Sequence, residues 1–400
     1  MTMPTHPVLE DPKIQAILGQ EYGRMSDAEF ARRKQALGAV LARHGCDAVL
    51  LCGEQRVGSG VHWITGWAVT TEAIVLFEPG RQELMFVEHY NHLPNARRMA
   101  IGVEVCWAER KGPARAIEEL KKRGAKRVGF IGNLSWSKMR ALAEAFDLAD
   151  LNGDYAWLRM RKSDEEIEWM RIGAAFSDLG IEALARGARP GMSERELGAL
   201  VDAAYQPLGG ATTIHFIGIN DMASPTQCVP PQFHSTRRLK RGDMMFVEFT
   251  AAFWDASGQV LRSFTVDAEP TPLFRDLYAA AEAAFDAMTG VLRAGAHVQE
   301  IVDASEVIEA AGFSTYDDIL HGFGGGYWAP VLGSKSRPSG PVPDMKLEAN
   351  MTVVVQPNVI TRDEKAGVQL GEMVRITASG FERMHHAPRG FRRLANRLEQ

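Results

Sequence analysis

At 400 residues the chain exceeds what one hydrophobic core usually supports, so two domains are expected, and 46% hydrophobic with 24% charged residues excludes disordered and fibrous classes. A formal net charge of -5, with no long run of Lys or Arg, argues against nucleic acid as a partner. The sequence shows neither a membrane-length apolar run nor an apolar leader, and Cys46, Cys52, Cys106 and Cys228 lack CxxC spacing, so a cytoplasmic protein with reduced thiols is expected.

From Ser26 to Leu151 helix and strand patterns alternate. An amphipathic stretch, AEFARRKQALGAVLARHG, leads into the apolar run DAVLLC. Further strands are predicted at AIVLFEP, ELMFVEH, VEVCWA and RVGFIG, with helices at ARAIEELKKRG and SKMRALAEAF. This reads as a small α/β domain over residues 1–155. Within it Trp63 and Trp67 flank a glycine turn, and aromatic side chains beside a loop suggest an interface, hence a homodimer.

A second domain is expected over residues 156–400. Ser163 followed by Glu166 is a capping-box signature for the helix that opens it. The phrase Arg189-Pro-Gly-Met-Ser-Glu-Arg-Glu196-Leu197 returns about one hundred residues later as Arg293-Ala-Gly-Ala-His-Val-Gln-Glu300-Ile301. Strand-like segments follow each copy: ATTIHFIGI, DMMFVEFTAAFWD and QVLRSFTV, then ILHGFGGGYW, NMTVVVQPNVIT and MVRITASGFERM. Two pseudo-symmetric halves, each with helices backing an antiparallel sheet, would enclose a cleft suited to a small molecule.

Five phrases in order resemble the creatinase, prolidase and aminopeptidase P superfamily. They are Arg159-Met-Arg-Lys-Ser163-Asp-Glu-Glu166-Ile167-Glu-Trp-Met-Arg171, Arg241-Gly-Asp243, His321-Gly322-Phe-Gly324, Glu348-Ala-Asn-Met351 and Gln356-Pro357. The resemblance implies an α+β protein, with a small creatinase-like α/β domain before a pseudo-symmetric pita-bread domain. Its metal-dependent members hold two divalent cations with two aspartates, a histidine and two glutamates. Those positions fall here on Glu248, Gln259, His321, Gln356 and Gly371, with Glu372 adjacent, and Arg262-Ser-Phe264 secures the register. A dinuclear centre is not expected from this set, and no cofactor is. Glu248 and His321 could at most hold a single weak divalent metal with water.

The expected catalytic residues are His321, His234 and Glu248. His321 stands in a glycine-rich turn that would keep other side chains away from the imidazole, and His234 falls where the superfamily keeps a proton-shuttling histidine. Glu248 would be a buried base with a raised pKa or, more plainly, the cross-strand partner of Arg262. His215 is flanked by apolar strand residues, which favour a core or sheet position. Gln259, Arg262, Gln356 and Glu372 are expected to bind substrate, with Tyr327 and Trp328 offering faces to a planar or cationic ligand. These features imply a creatinase-like, metal-independent hydrolase of a carbon–nitrogen bond in a small molecule. The alternatives are an Xaa-Pro peptidase with a degenerate metal site, a lyase, and a catalytically silent binding module.

Overall fold

The computed structural model describes residues 5–53 and 59–394 and divides into two compact units. One is Gly19–Arg159; the other comprises the residues up to Leu18, including α1 (Pro12–Leu18), and everything from Met160 on. The first helix thus groups with the C-terminal unit.

In the smaller unit α2 (Asp27–His44) starts where the Ser26 side chain accepts from the Glu29 N–H and stops at Gly45, whose φ of 62° suits glycine. It is followed by β1 (Ala48–Gly53), α3 (Gly60–Thr65), β2 (Ala73–Phe77), β3 (Glu83–Val87), α4 (Leu93–Met99) and β4 (Val103–Trp107). Then come α5 (Gly112–Arg123), β5 (Arg127–Ile131), α6 (Trp136–Ala145), β6 (Asp147–Asp150) and α7 (Asn152–Met160). The sheet runs β4-β3-β2-β1-β5-β6, parallel except where β2 meets β1 and β3. Leu50, Ile74, Leu76, Leu120 and Val128 pack as its core.

The two tryptophans expected at an interface are inside this unit. Trp63 is 1% and Trp67 7% exposed, Trp63 meets the Tyr155 ring edge-on at 5.5 Å, and Arg33 Nη1 donates to the Trp63 carbonyl at 2.7 Å. Both are buried within this unit, so they give no motive for a dimer.

The larger unit opens with α8 (Asp164–Gly187), whose Ser163–Glu166 capping box forms in both directions. Next come α9 (Glu194–Tyr205), β7 (Gly210–Asp221), β8 (Asp243–Phe253) and β9 (Ala256–Val266). The second half runs α10 (Pro272–Gly290), α11 (Val298–Ala304), α12 (Val307–Ala310), β10 (Ser314–Thr315), β11 (Leu320–Phe323), β12 (Tyr327–Leu332), β13 (Thr352–Val355), β14 (Val359–Ile360) and β15 (Gly371–Ile376). One sheet has the order β12-β11-β13-β15-β9-β8-β7, all neighbours antiparallel, while β10 and β14 form a separate short ladder.

The repeated phrase has a matching conformation in each half. Gly191 and Gly295 take φ of 93° and 87°, and their N–H groups donate to the carbonyls of Leu239 and Leu347. Capping boxes at Ser193–Glu196 and His297–Glu300 then start α9 and α11. Three residues after each leucine the chain turns through positive φ, at Gly242 and at Asn350. The duplication seen in the sequence is therefore a duplicated turn, cap and hairpin.

Helix α8 lies directly on β8 and β9. Ser177 Oγ donates to the Gly258 carbonyl at 2.6 Å and accepts from the Ala251 N–H at 2.8 Å. A Cβ at Gly258 would meet the backbone of Ala174. Gly258→Ala is expected to destabilise the protein by about 1–3 kcal/mol through overpacking, read as a lower urea midpoint.

Candidate active site

One polar cluster gathers on the face of β8 and β9 turned away from α8. Glu248 pairs with Leu261 and Thr250 with Gln259, so by strand alternation these share a face, while Ala251 and Gly258 occupy the face beneath α8. Gln259 Nε2 donates to Glu248 Oε1 at 2.5 Å. The second half adds Asp317 and Asp318 before β11, His321 on β11, Tyr327 at the start of β12 and Gln356 just after β13. Tyr327 Oη donates to Asp318 Oδ1 at 2.9 Å, its ring stacks on His321 with centroids 4.1 Å apart, and Gln356 Nε2 donates to the Asp318 carbonyl at 3.2 Å. Beside them opens a pocket of about 440 Å³ lined by Tyr316, Asp317, Asp318, Val331 and Arg337 among others.

Electrostatics link the two groups of residues. Burial, and then the charges of Asp317 and Asp318, push the Glu248 carboxyl up to about 8, so near neutral pH it carries a proton. Burial also raises Asp318. The protein around Asp317, and then the Asp318 charge, push that carboxyl up to about 7, although its side chain still reaches solvent. His321 moves the other way. Burial pushes it down to about 4, against weaker support from the Gly322 carbonyl, Asp317 and Gln356, so the imidazole is neutral. That state fits a positioned hydrogen-bonding group better than the proton shuttle expected of it.

Four polar atoms in this cluster are buried without a hydrogen-bond partner: Gln259 Oε1, Gln356 Oε1, Asp318 Oδ2 and Thr250 Oγ1. Gln356 supports the His321 charge through a side-chain hydrogen bond at the margin of normal length, in which the imidazole would donate to the amide oxygen.

The glycines after His321 serve the backbone rather than the imidazole. A Cβ at Gly322 would strike the Ala329 carbonyl, one at Gly324 the Met170 side chain and one at Gly326 the Trp328 ring, and the last two have φ of 106° and 154°. Lys162, from the phrase that opens α8, donates from Nζ to the Phe323 carbonyl at 2.8 Å and so ties α8 to this turn. Trp328 Nε1 donates to the Gly324 carbonyl at 2.9 Å, so that ring closes the hairpin, and Tyr327 is the one stacked on His321.

Three expected site residues lie elsewhere. Arg262 pairs in register with Val247, which puts it on the face opposite Glu248. It is fully buried and donates to Glu372 Oε2 at 2.6 Å and to the carbonyls of Gly371, Ala387 and Pro388. Glu372, equally buried, also accepts from Arg383. Arg262 and Glu372 are thus each other's partners, and neither faces a substrate; nor is Arg262 the partner of Glu248. His234 stands against α9, where a Cβ at Gly198 would touch its ring, and its Nε2 meets the His215 carbonyl at 2.8 Å. The two histidine rings lie 4.8 Å apart, and His215 packs at the same distance on Phe249, which alternates to the face opposite Glu248. His215 itself is pushed down to about 4 by burial.

Asp317, Asp318 and Thr250 were not singled out from sequence. The signal available was the tandem acid pair directly ahead of the histidine strand.

The geometry can be set against a metal centre. Gln259 and Gln356 turn amide N–H groups onto Glu248 and the Asp318 carbonyl, Gly371 offers no side chain, and Glu372 is held by two arginines. Among the described residues no group of three or more His, Cys, Asp or Glu is placed to hold a metal ion. A dinuclear site does not fit this donor set.

Residues 168–378 match the model of metallopeptidase family M24, and residues 33–161 match the creatinase/prolidase N-terminal domain. The chain belongs to family M24, as a pita-bread domain preceded by a creatinase-type domain. An uncharacterized hydrolase/peptidase of Sinorhizobium fredii is 26% identical over 394 residues, covering 90% of this chain and 96% of that protein. A Xaa-Pro dipeptidase of Pyrococcus furiosus is 22% identical, covering 64% of this chain and 73% of its own length. Among solved structures, a Xaa-Pro dipeptidase from Bacillus anthracis superposes with a TM-score of 0.78 at 21% identity, covering 91% of this chain and 100% of its own. No helix among the described residues is long and apolar enough to cross a membrane.

Proposed function

We propose that the protein hydrolyses a carbon–nitrogen bond in a small molecule without a metal, with Glu248 as the group that moves the proton. The observation that supports this most is Glu248 itself: a buried carboxyl, held by Gln259 and pushed up to about 8. A group that titrates near the working pH can serve as base and then as acid. As carboxylate, Glu248 takes a proton from a water whose oxygen attacks the carbon. When the carbon–nitrogen bond breaks, Glu248 returns the proton to the departing nitrogen, so the product carbon gains OH and the nitrogen gains H. Tyr327, fixed between Asp318 and His321, borders the reacting groups. Membership of a hydrolase family and kinship to named dipeptidases agree with this bond class.

The second reading, an Xaa-Pro peptidase, draws on those relatives. One experiment separates the two. Protein dialysed against EDTA is assayed on small amides, lactams and amidines and on Xaa-Pro dipeptides, with and without manganese. Turnover of a small non-peptide substrate that neither EDTA nor manganese changes is the expected result. Dipeptide hydrolysis lost with EDTA and restored by manganese overturns it. Solvent oxygen in the product distinguishes hydrolysis from elimination, and no turnover on any of these compounds favours a binding module.

A further inference from the structure

Three histidines meet one carboxylate where an N-terminal strap, residues 5–18, lies on α8. Asp178 of α8, 4% exposed, accepts from His6 Nε2 at 3.3 Å, from His385 Nδ1 at 2.9 Å and from the His386 N–H at 2.6 Å. The His6 and His386 rings meet edge-on with centroids 5.2 Å apart. Leu9 and Ile14 are the buried apolar residues of the strap, and His6 is its tie to Asp178.

The bonding fixes the charge of the two rings on Asp178. His6 Nδ1 accepts from the Val8 N–H at 3.3 Å, so the ring carries its one proton on Nε2. His385 donates from Nδ1, and its Nε2 is buried without a hydrogen-bond partner. An imidazolium has two N–H groups to place. The second would confront the Val8 N–H at His6 and would find no acceptor at His385.

Asp178 by itself favours an imidazolium, but the charges around it are already matched. Arg262 and Arg383 both pair with Glu372, and Arg383 also feels Asp178, so two guanidinium groups stand against two carboxylates. On the side toward the strap, Arg171 pairs with Glu168 and Glu382, and Asp11 accepts from the Lys13 N–H. A proton on any of the three histidines is therefore surplus positive charge in a buried place. Burial, and then repulsion from His6, push His386 below the ordinary histidine range even with Asp178 beside it.

We infer that His6 is an acid-released latch: neutral, it ties the strap to Asp178, and protonated, it lets residues 5–18 lift from α8. The helix that it leaves is the one whose Ser177 holds β8 and β9. Docking favours the neutral ring. It is complete above about pH 6.5, where a free imidazole has lost its proton, and weakens as pH falls below that.

Hydrogen exchange on the full chain, read by mass spectrometry and corrected for the intrinsic effect of pH, follows the strap directly. From pH 7.5 to pH 5 the protection of residues 5–18 should fall about tenfold or more, while amides of β1 keep theirs. His6→Gln can still donate to Asp178 but does not titrate, so its strap protection should change less than about threefold over the same range. His386→Asn removes the repelling ring and should hold the strap to lower pH than the parent does. Undiminished or tighter strap protection at pH 5, or an equal loss in His6→Gln, overturns the inference. Should His6→Gln not fold, an unmoved midpoint in His386→Asn overturns it instead.

Discussion

Glu372→Ala will destabilise the protein by about 3–5 kcal/mol, the usual cost of removing one partner of a buried ion pair. The loss leaves Arg262, with a fully buried side chain, as an uncompensated charge. Arg383 can swing toward water because its side chain is 43% exposed, but Arg262 is fixed by the carbonyls of Gly371, Ala387 and Pro388. A urea titration followed by tryptophan fluorescence measures the effect. Since Arg262 and Glu248 lie on opposite faces of β8 and β9, the folded fraction should keep its KM. A variant of normal stability with a raised KM would return Glu372 to the substrate.

Glu248→Gln will lower kcat/KM by about 10²–10⁴-fold, the range that general acid–base groups contribute. In the parent protein kcat/KM should rise with pH and level off above about 8, as the Glu248 carboxylate forms. The stability of the fold responds in the opposite sense. Glu248 binds its proton more tightly folded than unfolded, so its contribution is complete below the ordinary carboxyl range, where both states are protonated, and declines as pH rises through about 8. Glutamine does not titrate, so the variant should melt higher than the parent at pH 9 and nearly level with it at pH 5. Differential scanning calorimetry at the two pH values checks this. An inactive variant that also melts lower at pH 9 would make Glu248 a structural acid.

Local features were legible in the sequence and long-range pairing was not. The capping box at Ser163 and the twin phrases at Arg189 and Arg293 depend on residues three or four apart, and they form as read. The Arg262–Glu372 pair joins residues 110 apart, on strands from different halves, and no local spacing signals it. Spacing along a loop relates His234 to Glu248 only through the chain, whereas the strand register that puts its neighbour His215 beneath the sheet is a property of the ladder. Trp63 and Trp67 show why aromatic content beside a turn is a poor guide to exposure: Trp63 on a short helix and Trp67 just past its Gly66 cap are both buried. Tandem acids before a strand usually face solvent, so local sequence does not mark Asp317 and Asp318 as part of a site.

The duplicated halves meet along a short seam. Strand β9 of the first half pairs with β15 of the second through Gly371–Leu261 and Glu372–Val260, whereas β8 and β9 within the first half stay in register from Met244–Thr265 to Phe253–Ala256. Gln259 belongs to one side of that seam and Gln356 to the other. With so few rungs holding the halves together, amide hydrogens at the β9–β15 ladder should exchange faster than those shared by β8 and β9.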